Sequence, residues 1–242
     1  MPVDKVVLRV FQREVEHQCR FVLIAAADRR QALQDQERLN DEMERRFEER
    51  ARQEIIARTG GGPAARGPFL MQMSMQNEFG DWWERQYAVR ARFWYSVQSL
   101  LVAAANISKL LWPTYRTYRG KKENLVPGRG EELRKSLAIG EEHAVLRPRT
   151  LRNHFEHYDV RLEEWAASSD QPGLSDLTMR SSGSVGQSSG AVVGSISPDD
   201  EMRAFDADSN TVTFRGEAYR LQPIIDAVQD IWGKAKAEIQ KP

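Results

Sequence analysis

The stretch Glu78–Trp112, EFGDWWERQYAVRARFWYSVQSLLVAAANISKLLW, decides the fold. Phe79, Trp82, Trp83, Tyr87, Val89, Phe93, Trp94, Val97, Leu100, Leu101, Ala104, Ile107, Leu110 and Leu111 recur at helical spacing. They cover more than one stripe of the helix, so most of it is expected to be buried. Pro113 stops it.

Working outward, no glycine or proline occurs between Val3 and Thr59. Val7, Val10, Val15, Cys19, Val22, Leu23 and Ala26 recur mostly three to five residues apart, predicting a second long helix. Its distal half, Asp28–Arg58, interleaves Arg, Gln and Glu, with Glu44 and Glu48, Glu42 and Arg46, and Arg45 and Glu49 one turn apart. That half is read as a charged extension that projects from the body or packs on a partner chain. TGGGPAARGP (Thr59–Pro68) breaks the pattern, and the Met-rich FLMQMSMQ completes a connector over 59–77. Its methionines are read as gap fillers among aromatic neighbours.

After Pro113, Thr114–Gly130 reads as a loop and Glu131–Leu137 as a helix ended by Gly140. Leu151, Phe155, Tyr158, Leu162 and Trp165 step by four, three, four and three, predicting a packed seam on a helix over 151–167. Ser181–Ser197 holds seven serines and four glycines, so 168–200 is read as a flexible loop. Gly186-Gln187-Ser188-Ser189-Gly190 in that tract fits G-x-S-x-G without the strand–turn–helix setting a nucleophile elbow needs, and is read as coincidence. In 201–242, Thr211–Phe214 and Ala218–Leu221 flank Arg215-Gly216-Glu217 as a short hairpin. Pro223 then opens an amphipathic terminal helix. The class is all-α, with a small β ornament.

Composition narrows the chemistry. The 242 residues carry 35 Lys+Arg and 35 Asp+Glu, so bulk charge excludes a polycation and any nucleic-acid role must rest on local patches. The 40% hydrophobic content suffices for a core. One cysteine, Cys19, excludes an internal disulfide and a multi-cysteine metal site, and is read as a packed thiol. With no signal-like apolar run at the N-terminus and none of bilayer length elsewhere, a soluble cytoplasmic protein without membrane association is expected.

The chemistry concentrates in Leu151-Arg152-Asn153-His154-Phe155-Glu156-His157-Tyr158-Asp159-Val160-Arg161, which holds two of the four histidines. With the seam turned inward, Arg152, Asn153, His154 and His157 are assigned to the other faces. Asn153 and His157 lie one turn apart, as do Arg152 and Glu156. Guanidinium, amide and imidazole in mutual reach suit phosphoryl-ester cleavage, because they clamp the phosphate, orient it and move a proton near neutral pH. The same residues also suit surface ion pairs and interface packing, and His154 with His157 suits a metal at i,i+3 if a third ligand is supplied.

Arg152-x4-His157, with Asn directly after the arginine, resembles the R-x(4–6)-H motif of HEPN domains. The order of parts agrees: a long helix ending in Ala105-Asn106-Ile107-Ser108-Lys109-Leu110-Leu111-Trp112-Pro113, a shorter helix, then the motif helix. The resemblance covers 78–167, with the first helix joining the bundle. It implies an antiparallel helical bundle, a homodimer with a composite site, and metal-independent ribonuclease chemistry of a defence or toxin–antitoxin type. His157 would be the acid/base, Arg152 would stabilise the phosphorane, and Asn153 would orient the group, with no cofactor. A non-catalytic HEPN-like module that binds a partner protein or nucleotide is equally compatible. Toxins of this family that pair with a nucleotidyltransferase antitoxin carry tyrosine two residues after the histidine. Here that position is Asp159, so their modification chemistry does not carry over.

Substrate contacts are expected from the segment Trp112–Lys135, where seven Lys/Arg face three Glu and Tyr115 and Tyr118 are interleaved. Arg116, Arg119, Lys121 and Lys122 are the candidates there. Arg147, Arg149 and His154 would extend the site beside the motif.

Overall fold

A computed structural model describes residues 3–59, 68–113, 116–118, 121–123, 128–148, 150–168, 174–180 and 200–241. They are mostly helical, with a four-stranded sheet near the C-terminus and a final helix. Helix α1 (Lys5–Thr59) is continuous, as the absence of glycine and proline allows. Helix α2 (Pro68–Leu111) starts ten residues earlier than the sequence reading put it, because Pro68 suits a first helical turn and Phe69–Asn77 is rich in Leu, Met and Gln. Among the described residues no helix is long and apolar enough to cross a membrane.

The chain divides into two units, residues 27–96 and residues 1–26 with 97–242. In the first, the middles of α1 and α2 run antiparallel. Trp82 packs with Leu39 and Met43 and donates its indole N–H to the Leu39 carbonyl at 3.0 Å. Gln86 bonds Asn40 at 2.7 Å, and Arg85 grips both oxygens of Glu42 at 3.1 and 3.2 Å. The charged extension therefore pairs over this stretch with its own chain.

Arg92 closes on Asp35. Hydrogen bonds from Arg92 and then Gln31 hold the Asp35 carboxyl below its ordinary value, against the small opposing effect of burial. A depressed carboxylate stabilises the fold above its unfolded pKa and loses that contribution as pH falls through the folded value. Asp35→Asn should therefore lower stability at neutral pH and flatten the acid limb of the stability–pH curve below the ordinary value of 3.8. Urea titrations at a series of pH values read both effects.

The second unit begins with the first part of α1, where Val15, Cys19 and Val22 are fully buried. Burial pushes the Cys19 thiol far up, so it stays protonated. The end of α2 contributes Val97, Leu100, Ile107 and Leu111 to the same core. Helix α3 (Arg129–Ser136) follows where the sequence placed it. Gly130 sits so close to the end of α2 that a Cβ there would strike the Pro113 ring and lie 2.9 Å from the Leu111 carbonyl oxygen. Gly130→Ala is expected to lower stability by ~1–3 kcal/mol through overpacking, read as a reduced denaturation midpoint.

A 3-10 turn (Glu141–Leu146) presents His143, which is 1% exposed and bonds Asp230 at 2.7 Å. Asp230 lies on α6 (Gln222–Ile239), whose Ile225, Val228, Ile231 and Ala235 are buried, as the amphipathic pattern predicts. The two ends of this unit are tied together. Arg9 donates to the Ile239 and Lys241 carbonyls at 2.7 and 2.8 Å, satisfying the exposed acceptors at the end of α6.

The sheet has order β3-β4-β5-β6 (Thr178–Arg180, Arg203–Asp206, Thr211–Phe214, Glu217–Arg220). The hairpin β5–β6 was anticipated. Its turn is Arg215-Gly216, both at positive φ (43° and 81°), as a two-residue primed turn requires. The hairpin is half of a larger sheet, however, because β4 pairs antiparallel with β5 and β3 adds parallel to β4. Residues 168–200 are accordingly not wholly loop, since they contain β3. The Ser/Gly tract 181–197, with its G-x-S-x-G string, lies outside the described residues.

The supposed loop after Pro113 also contains structure. Strands β1 (Arg116–Tyr118) and β2 (Lys121–Glu123) pair antiparallel, with Thr117 opposite Lys122. Thr and Tyr favour strands.

Candidate active site on the motif helix

The motif helix is not one uninterrupted element. It forms α4 (Thr150–Glu156) and α5 (Tyr158–Ser168), which meet at His157. Bonds from the His157 N–H to the Asn153 carbonyl (3.0 Å) and from the Arg161 N–H to the His157 carbonyl (3.1 Å) bridge the join.

The seam is drawn onto the sheet instead of into a helical bundle, and its residues take different partners. Phe155 is buried, 6.0 Å from the Phe214 ring. Tyr158 donates to Asp176 at 3.0 Å, and the Trp165 indole donates to Asp200 at 3.0 Å. Arg203 binds Asp176 through Nε at 2.8 Å and through Nη2, with its guanidinium 4.3 Å from the Tyr158 ring centre. Burial, then the Asp176 carboxylate, raises the Tyr158 phenol. Of the described seam residues only Phe155 is buried; Tyr158 and Trp165 reach polar partners at the surface, and Leu162 is partly exposed.

Arg152 closes an ion pair with Glu156, one turn along. Its side chain is 17% exposed, and its Nε is buried without a hydrogen-bond partner among the described residues. It also lines a cavity of about 370 Å³ between α2, the 3-10 turn, β6 and α6.

Asn153 and His157 lie on the exposed side of the helix. Among the described residues, neither side chain makes a hydrogen bond or ion pair, so both are available to a ligand.

His154 does not share that face. Its ring stacks on Phe214 at 4.7 Å with an interplanar angle of 16°, and Nε2 lies 3.4 Å from Glu217. The Glu217 carboxyl is held low by the Tyr219 hydroxyl and, after it, by His154. The assignment of His154 to an outward, substrate-binding position is corrected. Position 154 faces β5 because the helix rests on a sheet, where an imidazole stacks as readily as an apolar ring.

Of the remaining candidates, Arg147 pairs with Glu141 at 2.6 Å and stands over the Trp112 ring at 5.3 Å. Arg116, Lys121 and Lys122 sit on the β1–β2 hairpin. Arg119, Arg149 and Tyr115 lie outside the described residues. Among the described residues no three of His, Cys, Asp and Glu gather as a metal-ligand set, and the inward turn of His154 separates it from His157.

The arrangement offers an exposed imidazole and amide one turn apart, with a guanidinium on the same helix restrained by its own carboxylate. Asp176, Arg203 and the cavity walls had no signature in the sequence, since they gather from segments far apart along the chain. No protein-family model matches the chain, and no curated protein or solved structure is significantly similar to it.

Proposed function

We propose that this chain is a HEPN-like, metal-independent endoribonuclease that works as a homodimer. The reading rests on exposed Asn153 and His157, unpartnered among the described residues, beside Arg152 on α4 and at its join with α5. His157 accepts the proton of a ribose 2′-hydroxyl as that oxygen attacks the adjacent phosphorus. A second copy's His157 protonates the departing 5′-oxygen as the P–O5′ bond breaks. Arg152 exchanges Glu156 for the phosphorane, and Asn153 orients it. The products are a 2′,3′-cyclic phosphate and a 5′-hydroxyl. Arg116, Lys121 and Lys122 on the basic hairpin are the proposed contacts to the RNA backbone. A cytoplasmic defence or toxin–antitoxin setting, with a protein antitoxin, belongs to the same proposal.

The 242-residue chain should cleave single-stranded RNA in excess EDTA. A substrate with 2′-deoxyribose at the cleaved position should resist. Equal cutting of the deoxy substrate, or no cutting of either, would overturn the reading.

One observation favours a second reading, a non-catalytic HEPN-like interaction module. The Arg152 charge is already answered by Glu156, so its guanidinium is positioned as a structural group. In that case Asn153 and His157 contact a partner protein. Asn153→Ala and His157→Ala would then weaken that association while RNA stays intact with every variant.

A further inference from the structure

The cavity beside α4 is lined mostly by apolar side chains, with two cations among them. Leu101 and Ala104 of α2, Leu146 of the 3-10 turn and Ile224 of α6 make its interior apolar. Among the described residues Arg152 and Arg220 are the charged ones that line it, and no carboxylate does. Arg220 is exposed on β6 and, among the described residues, makes no ion pair or hydrogen bond with its side chain. Arg152 gives one Nη to Glu156 and, among the described residues, keeps a buried Nε without an acceptor.

An unanswered donor and an uncommitted cation over an apolar chamber of about 370 Å³ call for a ligand with one anionic end and an apolar body. A polyanion would lack polar partners in the interior, and a neutral hydrocarbon would leave the Arg152 Nε without an acceptor. We propose that this cavity binds a medium-chain monocarboxylate, with its alkyl chain along Leu101, Ala104 and Ile224 and its carboxylate between Arg152 and Arg220. The site shares Arg152 with the Asn153–His157 face, but its occupation by a carboxylate does not depend on RNA cleavage.

Titration calorimetry on the full chain with decanoate, below its micelle-forming concentration, tests the proposal. Saturable one-to-one binding is expected, with decanol at least about tenfold weaker, the equivalent of one charge-assisted hydrogen bond. Arg220→Gln, on the surface, should cost about the same factor. Ala218→Trp, at an exposed position of β6 that lines the cavity, should abolish binding while leaving the circular dichroism spectrum unchanged. Absence of binding, equal affinity for decanol, or wild-type affinity in both variants would each overturn the proposal.

Discussion

His157→Ala is expected to reduce RNA cleavage by a factor of ~10²–10⁴, the range that separates a positioned general acid–base from solvent. The effect should be confined to activity. The His157 side chain is exposed and makes no hydrogen bond or ion pair among the described residues, so nothing in the packing depends on it. Its backbone bonds to Asn153 and Arg161 survive the substitution. The denaturation midpoint should therefore move by no more than the ~0.5 kcal/mol of an ordinary surface change. Asn153→Ala should cost activity less, since an orienting amide neither gains nor loses a proton. Cleavage that persists undiminished in His157→Ala would mark it as the work of a contaminant. A large loss of stability would show that the ring is not free in solution.

Phe214→Ala is expected to lower stability by ~3–5 kcal/mol, the cost of deleting a buried aromatic ring. Phe214 is 1% exposed and is the hub between sheet and motif helix. It carries the stacked His154 ring at 4.7 Å and faces Phe155 at 6.0 Å. Removing it leaves a void under α4 and takes away the surface that holds His154 inward. Phe214→Leu retains most of the volume and should recover much of the loss, though not the stack. Urea unfolding of the full chain gives the difference directly. A loss below about 1 kcal/mol would mean that α4 is held by other contacts.

Where a segment has one buried face and its own periodicity, sequence and structure agree. Helix α1, the second half of α2, α3, α6 and the β5–β6 hairpin are of this kind, each set by local spacing and by glycine or proline at its ends. The Arg152–Glu156 pair follows from the same logic, because one helical turn brings the two side chains together. Strand β3 escaped because Thr178-Met179-Arg180 is too short to show alternation, and its parallel partner lies beyond Ser181–Ser197. The start of α2 escaped because the glycine-rich break beside it drew the neighbouring methionines into one reading.

The seam of α4 and α5 was seen, but what it faces was not. Apolar spacing says that a face is covered and leaves open whether a helix or a sheet covers it. That ambiguity also misplaced His154, whose inward position depends on a ring contributed by β5. The cavity was out of reach for a related reason, since its walls come from five elements and none of them is distinctive alone.

The chain leaves the larger unit after Ala26 and re-enters it at Val97. In topological terms, residues 27–96 are an insertion in a discontinuous domain. A disordered insertion would tax the host through loop-closure entropy, and shortening such a loop tenfold would recover only ~2 kcal/mol. Here the inserted strand of chain folds back on itself through Leu39, Trp82 and the Glu42–Arg85 fork, so it meets that demand from its own contacts. The host core is therefore a natural splice point: a different antiparallel hairpin, or a short polar linker, should be exchangeable for residues 27–96 without redesigning the sheet or α6.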